Sequence, residues 1–206
     1  MAEKLPLTGL VLAGGLSRRM GRPKACLDLG GRTLAGWVVD AMSEVCREVV
    51  IVTARPVDFL EFKEKVVRDL IPGQGPLGGL ATGFFYSSTP WVLAAACDIP
   101  FLKADVLRII GQKALSARGG PRALAPRTKD GWQPLVAAYS RECLGSVRKI
   151  LAAGGHKVDD LRFHGVAWES VDAELFRAVD PDLISFLNIN TPEDLEIARA
   201  RLAQSD

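Results

Sequence analysis

Cysteine and histidine are scarce in this sequence, with four and two copies among 206 residues. The cysteines are widely spaced and form no CxxC pair, so the sequence gives no sign of a disulfide framework. We expect buried free thiols, because the cysteines stand mostly in apolar or helical stretches: Cys26, Cys46, Cys97 and Cys143. The two histidines, His156 and His164, are expected at the surface rather than as ligands.

A large excess of one charge is also missing. The chain has 26 basic and 24 acidic residues and a formal charge of +2, which disfavours wholesale binding to nucleic acid or to an anionic membrane. One basic cluster, at Arg18, Arg19, Arg22 and Lys24, has no stacking aromatics beside it, so nucleic-acid binding is a poor explanation for it. Any anion site must therefore be local.

Long apolar runs are absent as well. The longest apolar stretch, Trp91–Ala96, is far too short to cross a bilayer, and no basic leader with an apolar run stands at the amino end. We therefore predict a cytoplasmic protein with no membrane partner.

Apolar residues are plentiful overall, at 48% against 24% charged. The chain can bury one sizeable core, and we predict a single domain over residues 1–206. Short apolar segments predict buried strands at Leu7–Ala13, Glu48–Thr53, Trp91–Ala96 and Pro134–Tyr139. Apolar stripes at helical spacing predict helices at Thr33–Val45 and Lys103–Ala117, and a cap at Thr191 with Pro192 and two acids predicts a last helix to Leu202.

Strands that are apolar throughout and alternate with amphipathic helices indicate an α/β fold with a mostly parallel central sheet covered on both faces. Ligands of such sheets bind at the carboxyl ends of the strands. The segments to inspect are therefore the loops that follow Ala13, Thr53, Asp69, Ala96 and Tyr139.

The first of these loops combines adjacent glycines with basic side chains. Gly14 and Gly15 can turn backbone N–H groups toward an oxyanion, and Arg19 and Lys24 can neutralise a polyphosphate. The loop matches neither a Walker A motif nor the GxGxxG of a dinucleotide fold. An ordinary turn with solvated arginines remains an alternative.

A carboxylate follows the strand at Trp91–Ala96. Asp98 would emerge beside the glycine loop, and Mg²⁺ prefers one or two carboxylates together with phosphate oxygens. We therefore predict a magnesium site at Asp98. The alternative is a helix cap, a common role for aspartate.

A second glycine-rich segment runs from Asp69 to Leu80, with four glycines and two prolines. Backbone N–H groups exposed there could hold a base, a ribose or a phosphate. The alternative is a tight turn that enters a helix.

Several motifs together resemble one known family. They are Leu12-Ala13-Gly14-Gly15, Arg19-Met20-Gly21 with Lys24, Gly75-Pro76-Leu77-Gly78-Gly79, Cys97-Asp98-Ile99-Pro100 and Asn188-Ile189-Asn190-Thr191-Pro192. In this order and spacing they resemble the molybdenum cofactor guanylyltransferases, of the MobA-like nucleotidyltransferase family, over nearly the whole chain.

The resemblance implies a Rossmann-like three-layer α/β/α sandwich and transfer of GMP from GTP to the phosphate of molybdopterin, with release of pyrophosphate. It implies catalytic roles for Lys24, Arg19 and Asp98, with Mg²⁺ at Asp98. The nucleotide would be held by Leu12, Ala13, Gly14, Gly15, Lys24, Asp69, Gly78 and Asp98. Because a phosphate acceptor is already ionised at neutral pH, no general base is required.

For the acceptor, the resemblance points to the second half of the chain: Trp132, Gln133, Pro134, Lys157, Asn188 and Asn190. Ordinary turn chemistry explains the two asparagines about equally well. A protein that delivers molybdopterin and a molybdoenzyme that takes the product are the partners it implies.

Two departures from the family pattern leave the nucleobase open. Pro23 stands where the family often has Asp, and Val52 or Thr53 stands where a nucleoside-contacting Asn is often found. The pair Gly14-Gly15 favours guanine over cytosine. Rival hypotheses are a CMP-transferring relative, a nucleotide-sugar enzyme, and a molybdenum-cofactor or nucleotide-binding protein without turnover, which intact Lys24 and Asp98 argue against.

Overall fold

The computed structural model of the protein describes residues 3–14 and 23–204. Within these ranges the strands are β1 Leu5–Leu12, β2 Asp28–Leu29, β3 Arg32–Thr33, β4 Cys46–Thr53, β5 Lys65–Arg68, β6 Trp91–Ala96, β7 Arg122–Thr128, β8 Gly131–Trp132, β9 Val136–Ser140 and β10 Ala167–Asp172. The helices are α1 Leu34–Val45, α2 Gly75–Tyr86, α3 Ala104–Ser116, α4 Leu144–Ala152, α5 Glu174–Arg177 and α6 Pro192–Leu202.

The main sheet has the strand order β10-β7-β9-β6-β1-β4-β5, and β8 extends the pairing at the end of β7. β1 pairs in parallel with β4 and β6, β4 with β5, and β7 with β10. Only β8 and β9, among the strands of this sheet, run against the others. The prediction of a mostly parallel sheet is confirmed.

Helices cover both faces of the sheet. On one face Leu7 and Val11 of β1 belong to a buried cluster with residues of α1, α3 and α5. On the other face Leu10 and Leu12 belong to a cluster with α2 and α4. Because neighbouring residues of β1 are buried on opposite faces, the strand needs no polar alternation. The predicted α/β/α sandwich is confirmed.

Helix α2 lies unusually close to β1. A Cβ atom at Gly83 would overlap Cδ2 of Leu10, and one at Gly79 would lie 2.9 Å from Cδ2 of Leu12. Only residues without a side chain permit this approach. It brings the start of α2 next to the carboxyl end of β1, where the first glycine loop begins.

Two helices begin at threonine residues that cap them. Thr33 caps α1 by accepting a 3.1 Å hydrogen bond from the N–H of Gly36. Thr191 and Asp194 form a reciprocal capping box at the start of α6, which confirms the predicted cap. This helix packs on the β2–β3 hairpin and the start of α1 through Leu195 and Ala198, and Ile189 just before it joins the same cluster.

One prediction about the sheet is wrong. β9 is antiparallel to β6, so the loop after Tyr139 lies at the edge opposite to the carboxyl ends of the parallel strands. The segment before β9, residues 133–135, lies at the ligand-binding edge instead. The two residues between β7 and β8 are too few for the crossover that a parallel connection needs, so the chain reverses there.

Cysteine burial also departs in part from expectation. Cys46, Cys97 and Cys143 are buried free thiols as predicted, whereas Cys26 is partly exposed. Cys26 ends a single helical turn at the surface, which its apolar neighbours do not reveal. In the described ranges, no helix has the length and apolar character needed to traverse a lipid bilayer.

Candidate active site

The site lies at the carboxyl edge of the sheet, where β1 and β6 end side by side. The N–H of Ala13 donates to the carbonyl of Val52, and the N–H of Cys97 donates to the carbonyl of Leu12. Gly14 is exposed, and open space surrounds the position of its absent side chain. Gly15 and Arg19 lie outside the described residues, so their assignments stay predictions.

Lys24 is the centre of the arrangement. Its Nζ donates to Oδ2 of Asp98 at 2.7 Å and to Oδ1 of Asn190 at 2.8 Å. Pro23 fixes the backbone before the helical turn Lys24–Cys26. The side chains of Lys24 and Asp98 are 17% and 21% exposed, so the pair is largely shielded from water. Three residues predicted separately from the sequence thus meet at one point.

Asp98 has an oxygen without a partner. Its Oδ1 is buried and accepts no hydrogen bond from any described residue, whereas Oδ2 binds Lys24. Burying an unpaired acceptor costs about 1–3 kcal/mol, and a bound cation would remove that penalty. The helix-cap alternative is wrong, because Lys103 holds the N-cap position of α3.

The described residues contain no cluster of three or more His, Cys, Asp or Glu able to hold a metal ion. Asp98 would therefore serve as a single hard-oxygen ligand, with phosphate oxygens and water supplying the rest. This is the way in which Mg²⁺ is commonly held in nucleotide enzymes. The donor set therefore fits a metal that arrives with a triphosphate.

Asn190 is positioned by the cap of α6. The backbone N–H groups of Asn190 and Thr191 both donate to Oδ2 of Asp194, at 2.8 and 2.9 Å. These two hydrogen bonds, from Asn190 first, lower the pKa of the Asp194 carboxyl. Asn188, by contrast, is exposed and donates to the carbonyl of Phe186. Only the second asparagine reaches Lys24.

Asp69 and the second glycine segment build the entrance to α2. Oδ1 of Asp69 accepts 2.9 Å hydrogen bonds from the N–H of Ile71 and the hydroxyl of Thr82. A Cβ at Gly78 would lie 2.8 Å from the carbonyl oxygen of Ile71, and the N–H of Gly78 donates to Gln74. The structure thus shows the tight helix-entry turn. Nucleotide contacts by Asp69 and Gly78 stay predictions.

The predicted acceptor residues lie at the same edge. Nε2 of Gln133 donates to Oγ1 of Thr128 at 3.1 Å, and the hydroxyl of buried Tyr139 donates to the carbonyl of Pro134 at 2.6 Å. Trp132 is half-buried. These bonds fix the segment that leads from β8 into β9.

Lys157 is exposed at the start of a 3-10 helix, Val158–Phe163. A Cβ at Gly75 would lie 3.2 Å from the carbonyl oxygen of His156. The loop that carries Lys157 therefore rests against the start of α2, near the same edge of the sheet.

Sequence reasoning missed two residues beside Trp132. Arg127 pairs with Trp132 across the β7–β8 hairpin, and the guanidinium of Arg162 approaches the same ring. The dipeptide Asp130-Gly131 is a hairpin signal that could have placed Arg127 opposite Trp132. No local pattern indicates the approach of Arg162.

No described thiol or histidine belongs to the group of contacts around Lys24 and Asp98. Burial first, and then the charge of Asp98, raise the pKa of the Cys97 thiol to about 12. His156 and His164 are exposed, and Nδ1 of His164 lies 2.8 Å from the carbonyl oxygen of Asp160. The groups gathered at the edge are thus an amine, a carboxylate and amides.

Two surface grooves lie away from these groups. One, of about 510 Å³, lies between the β2–β3 hairpin and residues 61–64, and one of about 410 Å³ lies beside the end of α3. Neither contains a predicted site residue. The chemistry at Asp98, rather than the depth of a groove, identifies the site.

A mostly parallel sheet with an exposed glycine after β1, and a lysine paired with the aspartate that follows the adjacent strand β6, are features of enzymes that transfer nucleotides. The site therefore belongs to a nucleotidyltransferase. The sequence model of the MobA-like NTP transferase domain matches residues 9–164, and the chain belongs to this family.

The chain is 37% identical to the molybdenum cofactor guanylyltransferase of Desulfosudis oleivorans over 198 residues, which cover 95% of this chain and 96% of that protein. It is 33% identical to the enzyme of the same name from Syntrophotalea carbinolica over 190 residues, covering 92% and 89%. The solved structure of molybdopterin-guanine dinucleotide biosynthesis protein A from Archaeoglobus fulgidus superposes with a TM-score of 0.81 at 29% identity. It covers 96% of this chain and 100% of the other.

Proposed function

We infer that the protein transfers GMP from GTP to the phosphate of molybdopterin and releases pyrophosphate. The sequence similarity to proteins named molybdenum cofactor guanylyltransferase supports this function. The observation that carries it is the contact of Lys24 with both Asp98 and Asn190, beside a buried carboxylate oxygen that lacks a partner.

The reaction joins two anions, so the protein must offset their repulsion. An oxygen of the acceptor phosphate forms a bond to the α-phosphorus of GTP, and the bond from that phosphorus to the bridging oxygen of pyrophosphate breaks. Lys24 would neutralise charge on the triphosphate, with Arg19 as a second phosphate contact. The acceptor oxygen is already ionised, so a site without a described histidine or free thiolate is sufficient.

Enzymes of this family generally use a divalent metal. We propose that the metal is Mg²⁺ and that Asp98 binds it through the buried Oδ1. When bound, Mg²⁺ would neutralise charge on the phosphate oxygens. Lys24 pairs with Asp98 in the free protein, and it would be drawn to the phosphates when GTP arrives.

The nucleotide is proposed to lie on the β1 and β5 side of Asp98. Gly14 offers an exposed backbone after the end of β1, and Gly15 is the next residue in the sequence. Leu12, Ala13, Gly78 and Asp69 would complete this side of the site. Among described residues, Oδ2 of Asp69 has no hydrogen-bond partner and could accept from a ribose hydroxyl.

The acceptor is proposed to lie on the β9 and β7 side. Trp132, Gln133 and Pro134 stand at that part of the edge, and Asn190 would reach Lys24 between the two substrates. Lys157, whose loop rests against the start of α2, is proposed to contact the acceptor from there. Asn188 is proposed to contact the acceptor from the same segment. The protein would act in the cytoplasm, with a molybdopterin-delivering protein and a molybdoenzyme as partners and no role in nucleic-acid binding.

The end of β4 does not offer a side chain to the nucleobase. Val52 and Thr53, where the family often has a nucleoside-contacting Asn, are both buried. The hydroxyl of Thr53 accepts from the N–H of Arg55. The base must therefore be recognised elsewhere, for example by backbone groups.

Thermal unfolding with GTP, CTP, UTP and ATP in the presence of Mg²⁺ tests nucleotide choice, because a ligand that binds only the native state raises the melting temperature. Selective stabilisation by GTP is expected. Selective stabilisation by CTP would replace the proposal with cytidylyl transfer. Tight GTP binding without pyrophosphate release in the presence of molybdopterin would favour a binding protein.

A further inference from the structure

Two arginine side chains converge on one indole ring. The Cζ atoms of Arg127 and Arg162 lie 5.7 and 5.4 Å from the centroid of the Trp132 ring. Arg127 belongs to β7, and Arg162 belongs to the 3-10 helix Val158–Phe163. Arg162 also lies over the ring of Phe163, which is 78% exposed. We refer to Arg127, Trp132 and Arg162 as the guanidinium platform.

Neither guanidinium of the platform has an ion-pair partner among the described residues, although Asp172 of β10 stands opposite Arg127 in the register of the sheet. In the described ranges of the chain, Arg127 and Arg162 have no ion pair and their side chains make no hydrogen bond, whereas Arg122 on the same strand pairs with Glu169. Two positive charges gathered at one ring repel each other, and a bound anion would relieve that repulsion. Exposed Lys157, at the start of the 3-10 helix, adds a positive charge, and Asp159 and Asp160 in the first turn of that helix add two negative ones.

The ring itself is held from behind. Trp132 packs edge to face against Trp168 with centroids 5.4 Å apart, and Trp168 packs in the same manner against Tyr139 at 6.2 Å. Tyr139 is fully buried and its hydroxyl donates to the carbonyl of Pro134. The ring is thus ordered before any ligand binds, which lowers the entropic cost of binding.

The position of the platform in the sheet indicates which substrate it serves. The N–H of Ala96 donates to the carbonyl of Leu135, so the segment that follows Trp132 lies beside the end of β6 and close to Asp98. Gly14 and Asp69 follow β1 and β5, on the other side of β6. In-line phosphoryl transfer places the attacking and leaving groups on opposite sides of the phosphorus. The platform therefore stands on the acceptor's side.

We propose that the guanidinium platform binds the acceptor, and that Arg127 and Arg162 determine its affinity for a flat heteroaromatic ring that carries a phosphate. A guanidinium can stack on a ring and bind a phosphate through two hydrogen bonds at once. The proposal rests on the proposed function, and it adds two acceptor-binding residues to it.

Steady-state kinetics with Arg127→Gln and Arg162→Gln test the proposal, with KM measured separately for GTP and for molybdopterin. Each substitution is expected to raise the acceptor KM by about tenfold or more, the equivalent of one charge-assisted contact, and to leave the GTP KM within about twofold. Arg127→Lys and Arg162→Lys should raise the acceptor KM less than the glutamine substitutions do, but still above the wild-type value, because lysine keeps the charge without the planar group.

Arg47→Gln is the matched control, since Arg47 is an exposed arginine at the start of β4, on the opposite edge of the sheet. It removes the same charge and should leave both KM values unchanged. An equal effect of Arg47→Gln would assign the loss to net charge and overturn the platform. A parallel rise in the GTP KM would assign the platform to the nucleotide and overturn the proposal as well.

A binding measurement separates this proposal from the proposed function. Quenching of tryptophan fluorescence by a stable phosphorylated pterin should be saturable in the wild-type protein and weakened in both glutamine variants. If the wild type transfers no GMP but this pattern holds, the proposed function fails and the platform stands. If transfer occurs and the pterin binds all variants equally, the platform fails alone.

Discussion

Nζ of Lys24 donates a 2.7 Å hydrogen bond to Oδ2 of Asp98, 74 residues further along the chain, while Oδ1 of the same carboxylate has no partner among described residues. A positive charge thus occupies one oxygen, and the other is available to a cation. The pair therefore combines the two charges that the proposed reaction between two anions requires.

Asp98→Asn should abolish most metal-dependent turnover and preserve the fold. The amide keeps the shape of the side chain but loses the charge that binds a metal, and we expect pyrophosphate release to fall by at least about a hundredfold. Asp182→Asn is the control, since Asp182 is exposed and forms no side-chain hydrogen bond or ion pair with any described residue. Near wild-type turnover in Asp98→Asn, at an unchanged melting temperature, would refute the metal assignment.

Lys24→Ala should lower turnover and, in the absence of nucleotide, raise the affinity for Mn²⁺. The substitution removes a phosphate contact, and it also frees the Asp98 oxygen that Lys24 occupies. Mn²⁺ binding can be followed by electron paramagnetic resonance in the wild type and the variant. Weaker Mn²⁺ binding in Lys24→Ala would show that the amine does not compete with the cation.

Asp194→Ala should lower both stability and turnover, because Asp194 holds the backbone of Asn190 and caps α6. The native hydrogen bonds lower the pKa of Asp194 below its ordinary value of 3.8, so their stabilisation is present above that pH and is lost as the pH falls through the lowered pKa. The difference in melting temperature between wild type and variant should therefore shrink in acid. Glu193→Ala, in the same helical turn, removes no side-chain hydrogen bond seen among the described residues and should lower the melting temperature less.

Gly83→Ala should destabilise the protein although it adds a good helix former. The new Cβ would overlap Cδ2 of fully buried Leu10, and such overpacking costs about 1–3 kcal/mol. Gly145→Ala in α4 meets nothing within 4 Å and should instead gain up to about 1 kcal/mol. Urea unfolding of the two variants measures the contrast, and equal free energies of unfolding would contradict the close contact of α2 with β1.

Cys97 should resist alkylation in the native protein at pH 8. Its thiol is buried and has a pKa of about 12, so almost no thiolate is present. Cys26 is partly exposed, and because burial and nearby acids raise its pKa, it should react slowly. Mass spectrometry after iodoacetamide treatment distinguishes the two, with the denatured protein as the reference for full labelling. Labelling of Cys97 as fast as Cys26 would contradict the burial.

The sequence predicts the parallel part of the fold well, because strands such as β6 are buried on both faces and carry apolar side chains throughout. The capping box at Thr191 is equally predictable, since its residue types satisfy backbone groups locally. Burial on both faces, however, does not distinguish a parallel strand from an antiparallel one. The reversed direction of β9 follows from the short β7–β8 hairpin before it and not from the residues of β9 itself.

The candidate site, like the fold, could be predicted from the sequence only in part. Lys24 and Asp98 could be placed at one edge because each follows a predicted strand. The choice of Asn190 over Asn188 depends on the hydrogen bond from the Asn190 N–H to Asp194, and the approach of Arg162 to Trp132 depends on how distant segments pack. Such tertiary contacts leave no periodic signal in the chain.

Lys24 has one partner at Asp98 and the other at Asn190, so its two contacts cannot form at the same stage of translation. A growing chain that has reached the end of β6 already contains Lys24 and Asp98, but the amide oxygen that completes the contacts of the lysine has not yet been made. The complete lysine contact can therefore form only when translation has passed Asn190, so an incomplete nascent chain cannot contain it.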